Sequence, residues 1–250
     1  ERHASERPDA LAIIDEDGRR TTYGEYERRT RNLANSLLDL GLRPGDRLAM
    51  QLPNSSEFCL TLLACARVRI IPVFLHVVYG EHDLDYVLNL TEARALLVPA
   101  GFKGRDFLPL ARTMRERVSS LEHLIVVGGV GGEGVLRFED LVEAPEAGHD
   151  LDALRPTGAD PFFIMFTSGT TGRPKAELHT HANNLFWVQQ FEQGQQFPRD
   201  AQWIIVTPIA HLTGLGLGVL SALRRGAAFT LLTGWDVAKC VELLERDRPT

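Results

Sequence analysis

Hydrophobic positions along the chain recur with two periods, and each period predicts one kind of element. Thr22-Tyr23-Gly24-Glu25 has the form of a capping box, after which apolar residues follow helical spacing until Gly41. Short apolar runs suited to buried strands follow at 47–52, 70–73, 95–98, 123–127, 162–166, 203–207 and 228–232. Helical segments are predicted at 57–68, 81–90, 107–117, 182–190, 215–223 and 237–246. This alternation predicts an α/β fold with mostly parallel sheets covered by helices.

Two segments bear on domain organisation. The stretch 128–156 is rich in glycine and acidic residues, so we interpret it as a linker between two sheet-building halves. The last predicted helix runs into Arg248-Pro249-Thr250 without a closing strand. We therefore expect this chain to be part of a longer protein.

Composition narrows the class of protein. The 250 residues are 44% hydrophobic and 24% charged, which is typical of a globular protein with one or two domains. A formal charge of -6 provides no global positive field, which argues against a nucleic acid partner. Three cysteines without a CxxC pair favour a reducing compartment, and neither a signal peptide nor a membrane span is predicted. A cytoplasmic location follows as an expectation, and association into a homodimer is left open.

Two glycine-rich segments invite a ligand-binding interpretation. Residues 129–134 match the dinucleotide pattern GxGxxG, but only about two helical turns fit before Pro145, too few for a Rossmann helix. We expect a surface loop that binds neither a nicotinamide nor a flavin. Gly214, Gly216 and Gly218 alternate within an apolar segment. They indicate either a helix in close approach to a sheet or, as the second alternative, a cavity for a ligand.

A third glycine-rich segment, 167–175, carries a different signal. The buried strand 162–166 leads directly into it. It contains four hydroxyl side chains, two glycines, a guanidinium and an ammonium: Thr167, Ser168, Gly169, Thr170, Thr171, Gly172, Arg173 and Lys175. Such a loop suits an anion with several oxygens. It is not a Walker loop, because Pro174 and Ala176 flank the lysine.

Together with His179-Thr180-His181-Ala182-Asn183, this loop resembles the signature of the AMP-forming, adenylate-forming superfamily. That superfamily includes acyl-CoA synthetases, peptide-synthetase adenylation domains and luciferases. The segments 22–26, 62–72 and 208–214 resemble further motifs of the family, so the resemblance covers essentially the whole chain. It implies an incomplete N-terminal AMP-binding domain of an acyl-CoA-synthetase-like fold, with the small C-terminal domain absent. Arg67-Val68-Arg69 departs from the usual Lys-Ala-Gly, and Ala176 from the usual Gly.

The resemblance also implies a chemistry and a set of site residues. ATP and a carboxylic acid would form an acyl adenylate with the help of Mg²⁺, and the acyl group would pass to CoA. The loop residues Thr167, Ser168, Gly169, Thr170, Thr171, Gly172 and Lys175 would hold the β- and γ-phosphates. Lys175 and His211 are the predicted catalytic residues, and His211, Leu212, Gly214 and Leu215 would line the acid pocket. We predict no side-chain metal site.

Several alternatives stay open at this stage. Fatty, alicyclic and aromatic acids all suit an apolar pocket, and the acceptor is either CoA or a carrier-protein thiol. The first functional hypothesis is an acyl- or aryl-CoA ligase of which this piece is inactive alone. The others are a non-catalytic nucleotide- or acyl-binding module and a peptide-synthetase adenylation domain.

Overall fold

The computed structural model describes residues 1–145, 148–167, 173–195, 197–198 and 201–250. These residues form two compact units. The first comprises Glu1–Arg29, Pro53–Leu60 and Ala182–Thr250, and the second comprises Thr30–Leu52 and Thr61–His181. The described helices are α1 Arg2–Glu6, α2 Tyr23–Asp39, α3 Ser56–Arg67, α4 Glu81–Thr91, α5 Leu108–Arg117, α6 Phe138–Glu143, α7 His181–Gln193, a π-helix Thr213–Leu220, α8 Ser221–Arg225 and α9 Val237–Asp247.

The first unit contains a four-stranded sheet. Its strands are β1 Leu11–Ile14, β2 Arg20–Thr22, β12 Gln202–Ile205 and β13 Ala228–Leu231, in the order β12-β13-β1-β2. β1, β13 and β12 are parallel, whereas β2 is antiparallel to β1. The π-helix contacts β12, and α8 contacts β13. Because the three parallel strands share a direction, the segments that follow them lie at one edge of the sheet.

The second unit contains a seven-stranded sheet. Its strands are β3 Arg47–Met50, β4 Ile71–Phe74, β5 Ala95–Pro99, β8 His123–Val127, β9 Val135–Arg137, β10 Pro161–Thr167 and β11 Lys175–Thr180, and the hairpin β6 Gly101–Phe102 with β7 Arg105–Asp106 lies apart from it. The strand order is β11-β10-β4-β3-β5-β8-β9. All neighbours in this sheet are parallel except β10 and β11. Buried side chains of α4 and α5 pack on it, including Leu84, Val87, Leu88, Ala111 and Met114.

The predicted α/β architecture is confirmed, and the seven predicted strands all form. The pattern missed the short strands β1, β2, β9 and β11 and the hairpin β6–β7, because runs of two to six residues are too short to show a clear period, even where, as in β1, they are apolar and buried. The segment predicted as a helix at 215–223 begins as a π-helix at Thr213. Among the described helices, none has both the length and the apolar character needed to cross a bilayer.

The loop at 129–134 behaves as the sequence analysis expects for a non-Rossmann segment. It connects β8 to the short strand β9, and the helix that follows, α6, has six residues. That is too short to present a strong dipole to a pyrophosphate. The stretch 128–156 lies within the second unit, and its role as a linker stays a prediction.

Two local features show how residue chemistry sets element boundaries. The capping box at the start of α2 forms: the Glu25 amide donates to Thr22 Oγ1 at 3.2 Å, and the Thr22 amide donates to Glu25 Oε2 at 2.9 Å. After α3, Arg69 adopts a φ of 55°, in the left-handed region that favours glycine. This conformation explains why the related motif usually has glycine there.

Candidate functional site

The donor-rich loop is the connection of a β-hairpin. β10 pairs with β11 so that Thr167 lies opposite Lys175, which fixes both ends of the loop at one position of the sheet. The strand is anchored by its apolar residues, since Phe163 is fully buried and Phe162, Met165 and Phe166 are nearly so. Ser168, Gly169, Thr170, Thr171 and Gly172 lie outside the described residues. Thr167 and Lys175 are exposed at the mouth of the loop, where they are available to an anion.

The second end of the loop has an anchor that sequence reasoning missed. Tyr86, on α4, donates its hydroxyl to the carbonyl of Pro174 at 3.4 Å. The Arg173 guanidinium lies 5.4 Å from the centre of the Tyr86 ring, within cation–π range. Helical periodicity reads Tyr86 as one more apolar position of α4, so only the tertiary contact reveals its role.

Two histidines stack on the phenylalanines of β10, one from β11 and one from the first position of α7. His179 stacks on Phe163 with ring centroids 4.7 Å apart, and His181 stacks on Phe162 at 4.4 Å. Burial lowers the pKa of both imidazoles below the ordinary 6.5, because a low-dielectric environment disfavours the charged form. The stacked rings therefore form part of the packing against β10.

The second predicted site residue, His211, lies in the first unit, in the segment that follows β12. Its amide donates to the carbonyl of Pro208 at 3.1 Å, and its carbonyl accepts from Leu215 at 2.9 Å, at the start of the π-helix. The exposed ring receives the Thr213 amide at Nδ1 at a long 3.5 Å.

The glycines of the π-helix serve close packing. A Cβ at Gly214 would overlap the backbone oxygen of Pro208, and one at Gly216 would overlap the Trp187 ring. A Cβ at Gly218 would lie 3.1 Å from Ile205 of β12, so the expected close approach to the sheet is confirmed at that position. Gly214 and Gly216 instead lie close to the segment after β12 and to α7. Leu215 is fully buried and Leu212 is half-buried, and their roles in an acid pocket stay predictions.

Asn54 is the other residue that sequence reasoning missed. Its buried side chain bonds to the backbone of Thr207, Ile209 and Leu232. The available signal was a Pro53-Asn54-Ser55-Ser56 run between a predicted strand and a predicted helix. Such a run reads as an ordinary turn.

Comparison with known proteins shows to which family the chain belongs. The family model described as AMP-binding enzyme matches residues 1–250. The chain belongs to the AMP-binding enzyme family. The resemblance inferred from the loop at 167–175 and its flanking motifs is thereby confirmed.

The relatives of this AMP-binding enzyme chain are named for different acids. A salicylyl-CoA synthase / salicylate adenylyltransferase of a Streptomyces species is 30% identical over 97% of the chain and 44% of its own length. The medium-chain fatty-acid–CoA ligase of Escherichia coli K12 is 28% identical over 97% of the chain and 43% of its own length. The apo structure of MbtA from Mycobacterium smegmatis has a TM-score of 0.88 at 27% identity, covering 100% of this chain and 46% of that one. The chain therefore spans less than half the length of these relatives.

A cavity of about 620 Å³ in the first unit lies away from the His211 segment. It is lined by Arg2, His3, Glu6, Arg7, Glu192, Arg224 and Arg225. Arg2 donates to the carbonyl of Arg224 at 3.3 Å and Arg7 to that of Gly226 at 2.8 Å, at the C-terminal end of α8. Cationic side chains commonly bind these last carbonyls of a helix, so we assign the arginines to capping.

Proposed function

We propose that the protein containing this chain activates a carboxylic acid with ATP and transfers the acyl group to CoA. The observation that carries this proposal is the β10–β11 hairpin, which holds a loop of hydroxyls, glycines and one ammonium between Thr167 and Lys175. Membership of the AMP-binding enzyme family supports the choice of nucleotide. Residues 1–250 are proposed to belong to the N-terminal AMP-binding domain.

In the first step a carboxylate oxygen attacks the α-phosphorus of ATP. The bond from that phosphorus to the bridging oxygen breaks, and pyrophosphate leaves. Both reactants are anions, so the protein must neutralise charge and hold the reacting atoms in line. In this proposal the phosphate oxygens are bound by Thr167, Ser168, Gly169, Thr170, Thr171 and Gly172. The Lys175 ammonium stabilises the negative charge on the departing pyrophosphate.

The hydroxyl groups of this loop suit hydrogen bonds to phosphate oxygens, and Mg²⁺, a hard cation that prefers oxygen ligands, would be held mainly by the substrate phosphates. When bound, Mg²⁺ would neutralise part of the polyphosphate charge. Tyr86 supports the loop indirectly, since its hydroxyl holds the carbonyl of Pro174 next to Lys175.

We assign to His211 the binding of the substrate's carboxylate group. A ring N–H of His211 can donate a hydrogen bond to the substrate carboxylate, which orients that group without protonating it. The apolar surroundings of Leu212, Gly214 and Leu215 favour an acid with an apolar body. Relatives named for salicylate and for medium-chain fatty acids support aromatic and fatty acids as the first candidates.

The proposal is tested by ATP–pyrophosphate exchange in the protein that contains this chain, with a panel of fatty, alicyclic and aromatic acids. Exchange that depends on one of these acids, followed by acyl-CoA formation when CoA is added, is the expected result. If ATP–pyrophosphate exchange occurs but the acyl group passes to a carrier protein and not to CoA, the protein contains an adenylation domain instead. Saturable ATP binding with no acid-dependent exchange would indicate a binding module and overturn the proposal.

A further inference from the structure

One buried side-chain amide joins the ends of two strands in the first unit. Asn54 Nδ2 donates to the carbonyl of Thr207 at 2.9 Å and to that of Leu232 at 2.9 Å. Its Oδ1 accepts from the amide of Ile209 at 2.8 Å. The residue is 7% exposed, so these bonds form largely out of reach of water. Asn54 therefore links the segment after β12 to the segment after β13.

The two residues that Asn54 holds after β12 flank Pro208. The carbonyl of Pro208 accepts the amide of His211 at 3.1 Å and lies where a Cβ of Gly214 would be. Fixing Thr207 and Ile209 thus fixes the carbonyl on which His211 and the start of the π-helix rest. Displacement of this carbonyl would displace the imidazole with it.

We propose that Asn54 is a positioning residue for acid binding, acting through the backbone of 207–211 on His211. The inference rests on the proposed function of His211. It adds a residue from a different part of the chain, 155 positions from Ile209 in sequence.

The amide is chemically specific for this place. Two carbonyls and one amide converge on it, and a short side chain with two donors and one acceptor satisfies all three. The substitution Asn54→Asp would introduce a carboxylate, which has acceptors only and would face two carbonyl oxygens. An alanine would leave three backbone groups without their partner, and buried groups of this kind are costly to leave unpaired.

The experiment compares Asn54→Asp and Asn54→Ala with a control, Asn32→Ala, in ATP–pyrophosphate exchange by the protein that contains this chain. Asn32 is also a buried asparagine, and its Nδ2 donates to the carbonyl of Val142 at 3.0 Å in the second unit. For both Asn54 variants we expect the KM for the acid to rise on the order of tenfold or more, because small displacements of a positioning group have large effects. The KM for ATP should change by less than about twofold, and Asn32→Ala should leave both values unchanged.

A second readout does not depend on activity. Hydrogen exchange of the Ile209 amide, followed by NMR, should accelerate in Asn54→Ala but not in Asn32→Ala, because Ile209 donates to Asn54. An unchanged hydrogen-exchange rate of the Ile209 amide would contradict the claim that Asn54 holds the segment after β12. Accelerated exchange with an unchanged acid KM, or with acid and ATP KM values rising together, would overturn the positioning role alone. A wild-type protein without any acid-dependent exchange would overturn the proposed function, and the positioning role with it.

Discussion

At the scale of single residues, the Lys175 ammonium has the main role in the proposed chemistry. It begins β11 opposite Thr167, at the mouth of the loop. We expect Lys175→Ala to remove about 2–4 kcal/mol of transition-state stabilisation, by analogy with the loss of other preorganised donors. ATP–pyrophosphate exchange should fall by roughly 30- to 1,000-fold. Lys103→Ala is the matched control, and equal exchange rates in the two variants would contradict the assignment.

Arg69 supplies a prediction about stability. Its φ of 55° costs an L-residue roughly 1–2 kcal/mol, whereas glycine adopts it without strain but has more backbone entropy to lose. We expect Arg69→Gly to raise the free energy of unfolding by about 0.5–1 kcal/mol.

Thermal or urea unfolding measures this change directly. Arg67→Gly, two positions earlier at the last residue of α3, should have the opposite sign because glycine is unfavourable in a helical conformation. If both substitutions destabilise the protein, strain at Arg69 is not the reason for glycine in related sequences.

At the scale of elements, the packing of β11 and of the start of α7 against β10 is expected to weaken on acidification. The pKa of His179 and of His181 is lowered below 6.5 by burial, so the folded state binds their protons less tightly than the unfolded state. Stability is then highest above pH 6.5 and falls as the pH drops below that value. Glu57 has a lowered pKa as well, but its contribution is lost only as the pH falls below 4.5.

The check is the free energy of unfolding at pH values of about 7.5 and about 5.5. The double variant His179→Phe/His181→Phe keeps the aromatic stacking and should show a smaller decrease between these pH values than the wild type. The same decrease in both proteins would exclude these two histidines as its source.

A second expectation at this scale concerns the close packing of the π-helix. Gly216→Ala places a Cβ where the Trp187 ring lies, so the ring must move. Overpacking of this kind costs about 1–3 kcal/mol, more than the roughly 1 kcal/mol that alanine gains over glycine in a helix. We expect lower stability and a shifted Trp187 emission, measured with Trp203 and Trp235 replaced by Phe.

Two variants isolate the cause. Gly194→Ala adds a methyl group at a position with only an ordinary contact, 3.6 Å from the carbonyl of Phe191, and should leave the emission unchanged. Trp187→Ala should make Gly216→Ala tolerable. Equal destabilisation by Gly216→Ala in the presence and absence of Trp187 would show that the ring is not the obstacle.

At the scale of the whole molecule, we expect residues 1–250 by themselves not to catalyse multiple turnovers. They carry the loop at 167–175 and the His211 segment, to which we assign part of the chemistry, yet they span only 43–44% of the length of the two curated relatives compared above. Holding two reactants in line can supply about 7–11 kcal/mol of the barrier, which a partial site forfeits. Acyl-adenylate formation by residues 1–250 with the acid panel, ATP and Mg²⁺ is the measurement, and sustained turnover with any acid would contradict this expectation.

Much of the architecture was predictable because it depends on local patterns. The strands at 123–127 and 162–166 and the helix that begins after Thr22 follow from apolar runs, helical spacing and a capping box. The loop at 167–175 was recognisable because its donors are consecutive in sequence. The π-helix was not predictable, since its alternating glycines match an α-helix equally well.

By itself, the sequence determined the fold class and the family, and it predicted a phosphate-binding loop, because each is written in contiguous residues. Only the tertiary structure decided how these parts are held. Tyr86 lies 88 residues from Pro174, and Asn54 lies 153 residues from Thr207. No local periodicity encodes such pairs, since they exist only after helices, strands and connecting segments have packed together and brought distant groups within hydrogen-bonding distance.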